Sequence, residues 1–315
     1  MSTMTETRFA YGEALLELGN QRKDVVVLDA DLYKSTRTVL FRDAFPGRFF
    51  DMGISEQDMV STAAGLASQG LVPFCNSFAI FITGVCYMPI RTQICYSSLP
   101  VKLVGSSAGF TEGPDGASHQ SLEDIALMRI LPHMVVLSPC DDIEAKQATR
   151  AAAEHPGPVY IRVSRYPVPR LHADSYTFSI GKAETLREGG DVVVFGTGIT
   201  TWKSLEAAEL LAKKGITCRV VNIATIKPLD AKAVQAAVDG VSLAVTVEEH
   251  SIIGGLGGAV AECLSEQGAN PPMIRLGAPD QFGESGVADD LLEKYGLQPE
   301  CISRSVEAAL KKAKR

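Results

Sequence analysis

No run of 18 apolar residues occurs anywhere in the 315-residue chain, and residues 1–8 lack the apolar core of a secretion signal. Membrane insertion and export are thereby disfavoured. Cysteine is sparse and unpatterned: seven residues, at 75, 86, 95, 140, 218, 263 and 301, with no Cys-x-x-Cys pair. An odd, scattered set does not make a disulfide framework, and the expectation is a cytoplasmic protein with buried thiols. Basic clusters are missing too, apart from Lys311, Lys312, Lys314 and Arg315 at the tail, which read as a solvated helix end. Together with a net charge of -7, this argues against nucleic acid as the main partner. There is neither a low-complexity tract nor a repeat of solenoid length.

What is present is an ordinary globular composition, 46% hydrophobic and 21% charged, in a chain long enough for two domains with proper cores. The spacing of Phe9, Leu15, Leu16 and Leu18 predicts a helix over 7–19, stopped by Gly19 as its C-cap. A buried strand at 25–28 follows and runs into Asp29-Ala30-Asp31. Apolar runs at 72–75, 101–104, 134–137 and 159–163 predict further strands, separated by helices at about 56–69, 81–97, 121–130 and 141–154. Such alternation implies a parallel sheet covered on both faces, with ligands bound past the carboxyl ends of the strands. The stretch from Arg165 to Asp174 has two prolines and no periodicity, and reads as a linker. A second series follows, with strands at 191–195, 218–223, 243–247 and 273–276 and helices at 201–214, 230–238 and after the glycine-rich turn 254–258. The expected fold is α/β: two open-sheet domains with helices on both faces, over residues 1–170 and 181–315, joined by a linker at 171–180.

Residues 51–70 place one carboxylate, Glu56, at the mouth of a largely apolar helix. Ser55 followed by Asp58 reads as a capping-box variant, which starts the helix just after Ser55. A first-turn glutamate ordinarily does no more than complement the helix dipole, so Glu56 takes its meaning from the rest of the chain. The segment 105–120 follows a strand, is rich in glycine, and carries Asp115, Ser118, His119 and Gln120. A polar loop of this length inside a compact domain is usually functional, and its side chains suit a hydroxylated ligand. Gly196-Thr197-Gly198 lacks the third glycine of a dinucleotide fingerprint and reads as a tight strand-to-helix turn. The run from Gly254 to Gly258 lacks the Lys-Ser/Thr of a phosphate loop and reads as close backbone packing. His133, His155 and His172 are expected at the surface, and His250 is left open.

Gly53-Ile-Ser-Glu56-Gln57, Ser77-Phe78-Ala-Ile-Phe81 and Gly113-Pro-Asp115-Gly-Ala-Ser-His119-Gln120, in this order and at these intervals, resemble the pyrimidine-binding domain of transketolases, and residues 181–315 resemble the family's C-terminal domain. The resemblance implies thiamine diphosphate as cofactor. It assigns Glu56 to the pyrimidine nitrogen N1′, where a desolvated carboxyl drives the amino-to-imino tautomerisation. Phe78 and Phe81 would pack on the pyrimidine ring, Asp115 would bond donor hydroxyls, and His119 the hydroxyl near the reacting carbon. Arg8, Ser35 and Arg165 fall where the family binds a sugar phosphate, with Asp31 at the same mouth, and guanidinium groups suit phosphate oxygens. Ser107 stands where transketolases usually place a phosphate-binding histidine, and Gln57 replaces the histidine that commonly follows the catalytic glutamate.

The family's metal-binding signature, Gly-Asp-Gly followed by Asn, has no counterpart here: the asparagines are 20, 76, 222 and 270, and Val238-Asp239-Gly240 lacks the first glycine. No metal ligand is therefore assigned to this chain. The resemblance implies the C-terminal subunit of a split transketolase, paired with an N-terminal subunit that holds magnesium and the diphosphate, in a heterotetramer of two copies of each. The reaction implied is transfer of a two-carbon ketol unit from a ketose phosphate to an aldose phosphate. Two rivals stand beside it. One is another thiamine enzyme, deoxyxylulose-phosphate-synthase-like or a β subunit of a 2-oxoacid dehydrogenase, against which Asp115 argues because pyruvate has no hydroxyls to bond. The other is a non-catalytic scaffold subunit.

Overall fold

The computed structural model describes residues 4–266, 268 and 271–313. Lys314, Arg315 and Asn270, which figure in the sequence reading, lie outside them, as do residues 1–3. The strands in chain order are β1 (Met4–Glu6), β2 (Val25–Asp29), β3 (Phe49–Asp51), β4 (Val72–Phe78), β5 (Lys102–Ser106), β6 (Val135–Leu137), β7 (Val159–Val163), β8 (Pro167–Pro169), β9 (Glu184–Arg187), β10 (Val192–Gly196), β11 (Cys218–Asn222), β12 (Thr225–Lys227), β13 (Leu243–Ser251) and β14 (Met273–Ala278). They form a seven-stranded sheet in the order β12-β6-β7-β5-β4-β2-β3, a five-stranded sheet in the order β14-β13-β10-β11-β9, and the pair β1-β8. The expected α/β architecture of two open sheets is thus present.

Side-chain alternation along the strands explains the layering. In the larger sheet Leu28, Cys75, Leu103, Val136 and Tyr160 face one core, with Met59, Ala63 and Ala67 of the helix Glu56–Ser68. Val27, Phe74, Val104, Leu137 and Ile161 face the other, with Tyr11 and Leu15 of the helix Thr7–Gln21 and Ala148 of the helix Asp142–Glu154. In the smaller sheet Val192, Val194, Val220 and Val245 meet Ala207, Leu211, Ile302 and Val306, while Val193, Phe195 and Val221 join the first core. Among the described residues no helix is long and apolar enough to cross a membrane.

Several boundaries depart from expectation. Gly19 does not end its helix, which continues to Gln21; the glycine is needed because a Cβ there would collide with Phe41 and Phe45. The stretch 81–97 is not one α-helix but wide π-type turns, Phe81–Val85 and Ile90–Cys95, on either side of Tyr87–Pro89; Pro89 lacks the amide that regular helical bonding would use. The supposed linker contains β8, paired antiparallel with β1, and a two-stranded ribbon tolerates prolines because each strand has a free edge. His172, expected at the surface, is buried, with Asp141 Oδ2 at 2.9 Å from Nδ1 and Glu184 Oε2 at 3.0 Å from Nε2. β12, from the second half of the chain, pairs antiparallel with β6 and so becomes an edge of the larger sheet.

Candidate active site

Within the larger sheet every pair except β12-β6 is parallel, and the register aligns Asp29 with Asp51 and Asn76, Phe78 with Ser106, and Ser106 with Val163. The carboxyl ends of β2, β3, β4, β5 and β7 therefore form one rim. Asp31, Glu56, Phe78 with Phe81, Asp115 with His119, and Arg165 each lie at or just past one of these ends. Arg8 joins them through a backbone bond from its amide to the Ser164 carbonyl, 3.3 Å.

Glu56 is the first residue of its helix, and Ser55 occupies the N-cap position without a side-chain capping bond. The anticipated capping box is therefore absent, although the helix starts where expected. The Glu56 side chain is half-buried, and its Oε1 accepts from Ser77 Oγ at 3.1 Å. Ser77 leads directly to Phe78 at the end of β4. The Phe78 and Phe81 rings lie 6.2 Å apart at an interplanar angle of 20°. His119 meets both edge-on, at 6.2 Å from Phe78 and 5.2 Å from Phe81, and its Nδ1 is 3.0 Å from Ser118 Oγ. One carboxylate, two aromatic rings with nearly parallel planes and an imidazole thus share the rim. That donor set fits the pyrimidine half of thiamine diphosphate: an aromatic wall for a flat ring and an acid for a ring nitrogen.

A second group stands beside them. Arg8 donates from Nε to Glu6 Oε2 at 2.5 Å and from Nη1 to the Ser35 carbonyl at 2.9 Å, and Arg165 Nη1 reaches Glu112 Oε1 at 3.0 Å and Asp115 Oδ2 at 3.9 Å. Asp31 is exposed, with φ of 61°.

Beneath lies a buried polar layer of which the sequence reading named Asp29 and Gln120 but missed Glu112 and Glu249. Glu112 is fully buried, and burial, then the adjoining Asp115 carboxyl, push it up to about 7. Asp29, also buried, accepts from Thr36 and Thr38 at 2.7 and 2.8 Å and is raised to about 6, chiefly by burial. Glu249 on β13 accepts from the Thr111 amide, while Gln120 Nε2 donates to the carbonyls of Gly113 and Glu284 at 3.1 and 2.9 Å. The second half of the chain therefore grips the loop that carries Asp115 and His119. Asp29 was visible as the polar end of an apolar strand; Glu249 has no local signal, since its partner lies 138 residues away. The turn at 254–258 is close-packed, as expected, with the Glu248 carboxylate capping the amides of Leu256 and Gly257 at 2.6 and 2.7 Å. Among the described residues Cys140, Asp141 and His172 are near enough to share a metal ion, but both His172 ring nitrogens are already engaged by carboxylates.

Comparison with known proteins identifies the family. The family model for the transketolase pyrimidine-binding domain matches residues 3–169, and that for the transketolase C-terminal domain matches residues 181–302. The chain belongs to the transketolase family. It is 46% identical to a protein of Methanocaldococcus jannaschii provisionally named a transketolase C-terminal section, over 97% of this chain and 96% of that one. It is 36% identical to an apulose-4-phosphate transketolase subunit of Phocaeicola vulgatus, covering 99% of each. A solved structure described as a split-gene transketolase in an inactive beta4 tetramer superposes with a TM-score of 0.90 at 47% identity, over 97% of this chain and 98% of the other. Matches to full-length enzymes are partial: the chain spans about half the length of the deoxyxylulose-phosphate synthases it resembles, 48% for one at 37% identity.

Proposed function

We propose that this chain is the C-terminal subunit of a thiamine-diphosphate-dependent transketolase, with a pyrimidine-binding domain at 1–170, a linker at 171–180 and a C-terminal domain at 181–315. It works in the cytoplasm with an N-terminal subunit that carries magnesium and the diphosphate contacts, in a heterotetramer of two copies of each. The observation that carries the reading is the Glu56 carboxylate, tethered by Ser77 beside the Phe78, Phe81 and His119 rings. The surroundings of Glu56 support a site completed by another chain: Ile54, Val85 and Met88 are exposed apolar residues on this side, and Gln57 Nε2 bonds the Val85 carbonyl at 2.8 Å. A covering surface would bury these side chains and dry the carboxylate.

When bound, thiamine diphosphate supplies the nucleophilic carbon that cleaves a ketose between C2 and C3. Glu56 would hold the proton shared with the pyrimidine nitrogen N1′, and Phe78 and Phe81 would pack on the ring. His119 would bond the hydroxyl beside the reacting carbonyl, while Asp115 would orient donor hydroxyls. Arg8, Ser35, Asp31 and Arg165 form the subsite for the far end of the sugar.

Co-expression with the N-terminal subunit and a Glu56→Gln variant tests this. Turnover should fall by about 100-fold or more, while light scattering shows the same assembly. Undiminished turnover in the variant would remove Glu56 from the mechanism.

A further inference from the structure

We propose that Glu112 is a positioning residue for the sugar donor: it holds the Arg165 guanidinium off the Asp115 carboxylate, so that both keep free groups for the ligand. The inference rests on the transketolase reading above and adds to it a residue that touches neither cofactor nor sugar. Glu112 is fully buried behind the rim. Its Oε1 accepts from Arg165 Nη1 at 3.0 Å, whereas Asp115 Oδ2 stands 3.9 Å from the same nitrogen. The Arg165 and Asp115 side chains are both partly open to solvent, at 37% and 43%. Opposite charges at that separation close into a direct pair when nothing holds the guanidinium back. Such a pair would occupy the carboxylate oxygens meant for donor hydroxyls, together with the guanidinium edge beside them. By binding Nη1 from behind, Glu112 prevents this and leaves the other guanidinium N–H groups at the rim.

The backbone around Glu112 suits that task. It belongs to the short turn Phe110–Asp115, where the Phe110 ring stacks on Tyr295 at 3.9 Å and 3°, the Thr111 amide donates to Glu249, and Gln120 Nε2 holds the Gly113 carbonyl. With residues 110, 111 and 113 each anchored, Glu112 has little freedom to retreat from Arg165. It thereby joins the segment after β5 to the segment after β7. Its second oxygen, Oε2, is buried and has no hydrogen-bond partner among the described residues, and Ser107 and Asp115 lie beside the carboxyl. A carboxyl raised to about 7 carries its proton part of the time at neutral pH. Glutamine matches that form, because its amide oxygen can accept from Arg165 while its nitrogen donates on the other side.

The test uses the chain assembled with its N-terminal subunit, saturated with thiamine diphosphate and magnesium, and D-xylulose 5-phosphate as donor. Glu112→Leu fills the same space without a polar group. Its donor KM should rise about tenfold, the equivalent of one charge-assisted hydrogen bond, with kcat within about twofold of the wild type, since the lost interaction serves binding. Glu112→Gln should bring KM back to within about threefold of the wild type. Glu112→Asp keeps the charge but retracts it by one methylene, and should do worse than glutamine. Arg165→Gln combined with Glu112→Leu should be no worse than Arg165→Gln alone, because Glu112 acts through Arg165. An unchanged KM in Glu112→Leu, equal damage by leucine and glutamine, or additive losses in the double variant overturns the proposal. If Glu112→Leu does not assemble, the aspartate and glutamine variants decide: glutamine the better upholds positioning, aspartate the better overturns it. A wild type without turnover sinks the transketolase reading and this role together, whereas turnover with an unmoved KM sinks only the role of Glu112.

Discussion

Ser77 shows how much of the candidate chemistry depends on a side chain that carries no charge. Its hydroxyl is fully buried at the end of β4 and donates to Glu56 Oε1 at 3.1 Å, which fixes one carboxylate oxygen and leaves the other free to address a ligand. Without that tether the carboxylate keeps its helix position but gains rotamers. Ser77→Ala removes one small polar atom, so the fold should tolerate it. In the assembled enzyme kcat should fall by about tenfold, the worth of a hydrogen bond to a charged group, while thiamine diphosphate affinity changes little. Steady-state kinetics at saturating cofactor and a cofactor titration measure the two separately; a loss of affinity with unchanged kcat would assign Ser77 to binding. Asp29 works at the same scale on the neighbouring strand, β2. Its two threonine bonds and the bond from the Leu32 amide, 2.6 Å, hold the turn that presents Asp31 and Ser35.

Among the elements, the loop after β5 is the one whose shape is set from outside. Gly109 has φ of 81°, and a Cβ there would run into the Glu249 carboxyl. Gly116 has φ of 75°, and a Cβ would lie 2.5 Å from Ser285 Oγ. Gly109→Ala should therefore strain the backbone by about 1–3 kcal/mol and displace Glu249 from the Thr111 amide. Urea unfolding should register the destabilisation, and the KM for the ketose donor should rise, because Asp115 and His119 ride on this loop. A normal KM would mean that the loop keeps its shape without Glu249. The sequence disclosed that this loop matters, through its glycines and the polar cluster Asp115, Ser118 and His119, and it disclosed the buried strands through runs such as Val25 to Leu28. These are local signals. The clamp by Glu249 and Glu284 was invisible because it joins positions more than a hundred residues apart. The β1-β8 ribbon was missed for the same reason, and so was the capture of β12 by the larger sheet: each pairing depends on where the chain returns. Glu56 was legible as a residue, but its hydrogen bond to Ser77 was not.

Across the whole molecule the two halves of the chain are tied by buried charge, and this gives stability a definite pH dependence. Asp141 and Glu184 come from opposite halves and meet on the His172 ring. The groups facing that ring are Asp141, Glu144, Glu184, Cys140 and Tyr176. Burial pulls the imidazole down, but the Asp141 hydrogen bond and the charges of Glu144, Asp141 and Glu184 outweigh it and raise His172 from 6.5 to about 9. Burial and the neighbouring acids push the Cys140 thiol and the Tyr176 phenol upward, so both stay protonated. The folded state holds the His172 proton more tightly than the unfolded state. Its stabilisation is therefore complete below about pH 6 and lost as pH rises through about 9, amounting to about 3 kcal/mol at most. Glu248 and Glu249 are likewise raised by burial to about 7, so their contribution disappears over a lower window, as pH climbs from about 4 through 7. Both effects have the same sign, whereas Lys102, pulled down to about 7 by burial, has the opposite one and gains stability as pH rises above about 7. The His172 contribution is therefore read as the difference between the wild type and His172→Gln in urea unfolding at fixed protein concentration. His172→Gln should be less stable than the wild type at about pH 6, and the gap between the two should close as pH rises through about 9. A gap that stays constant from about pH 6 to about pH 9.5 would place its origin elsewhere than in the ionisation of His172.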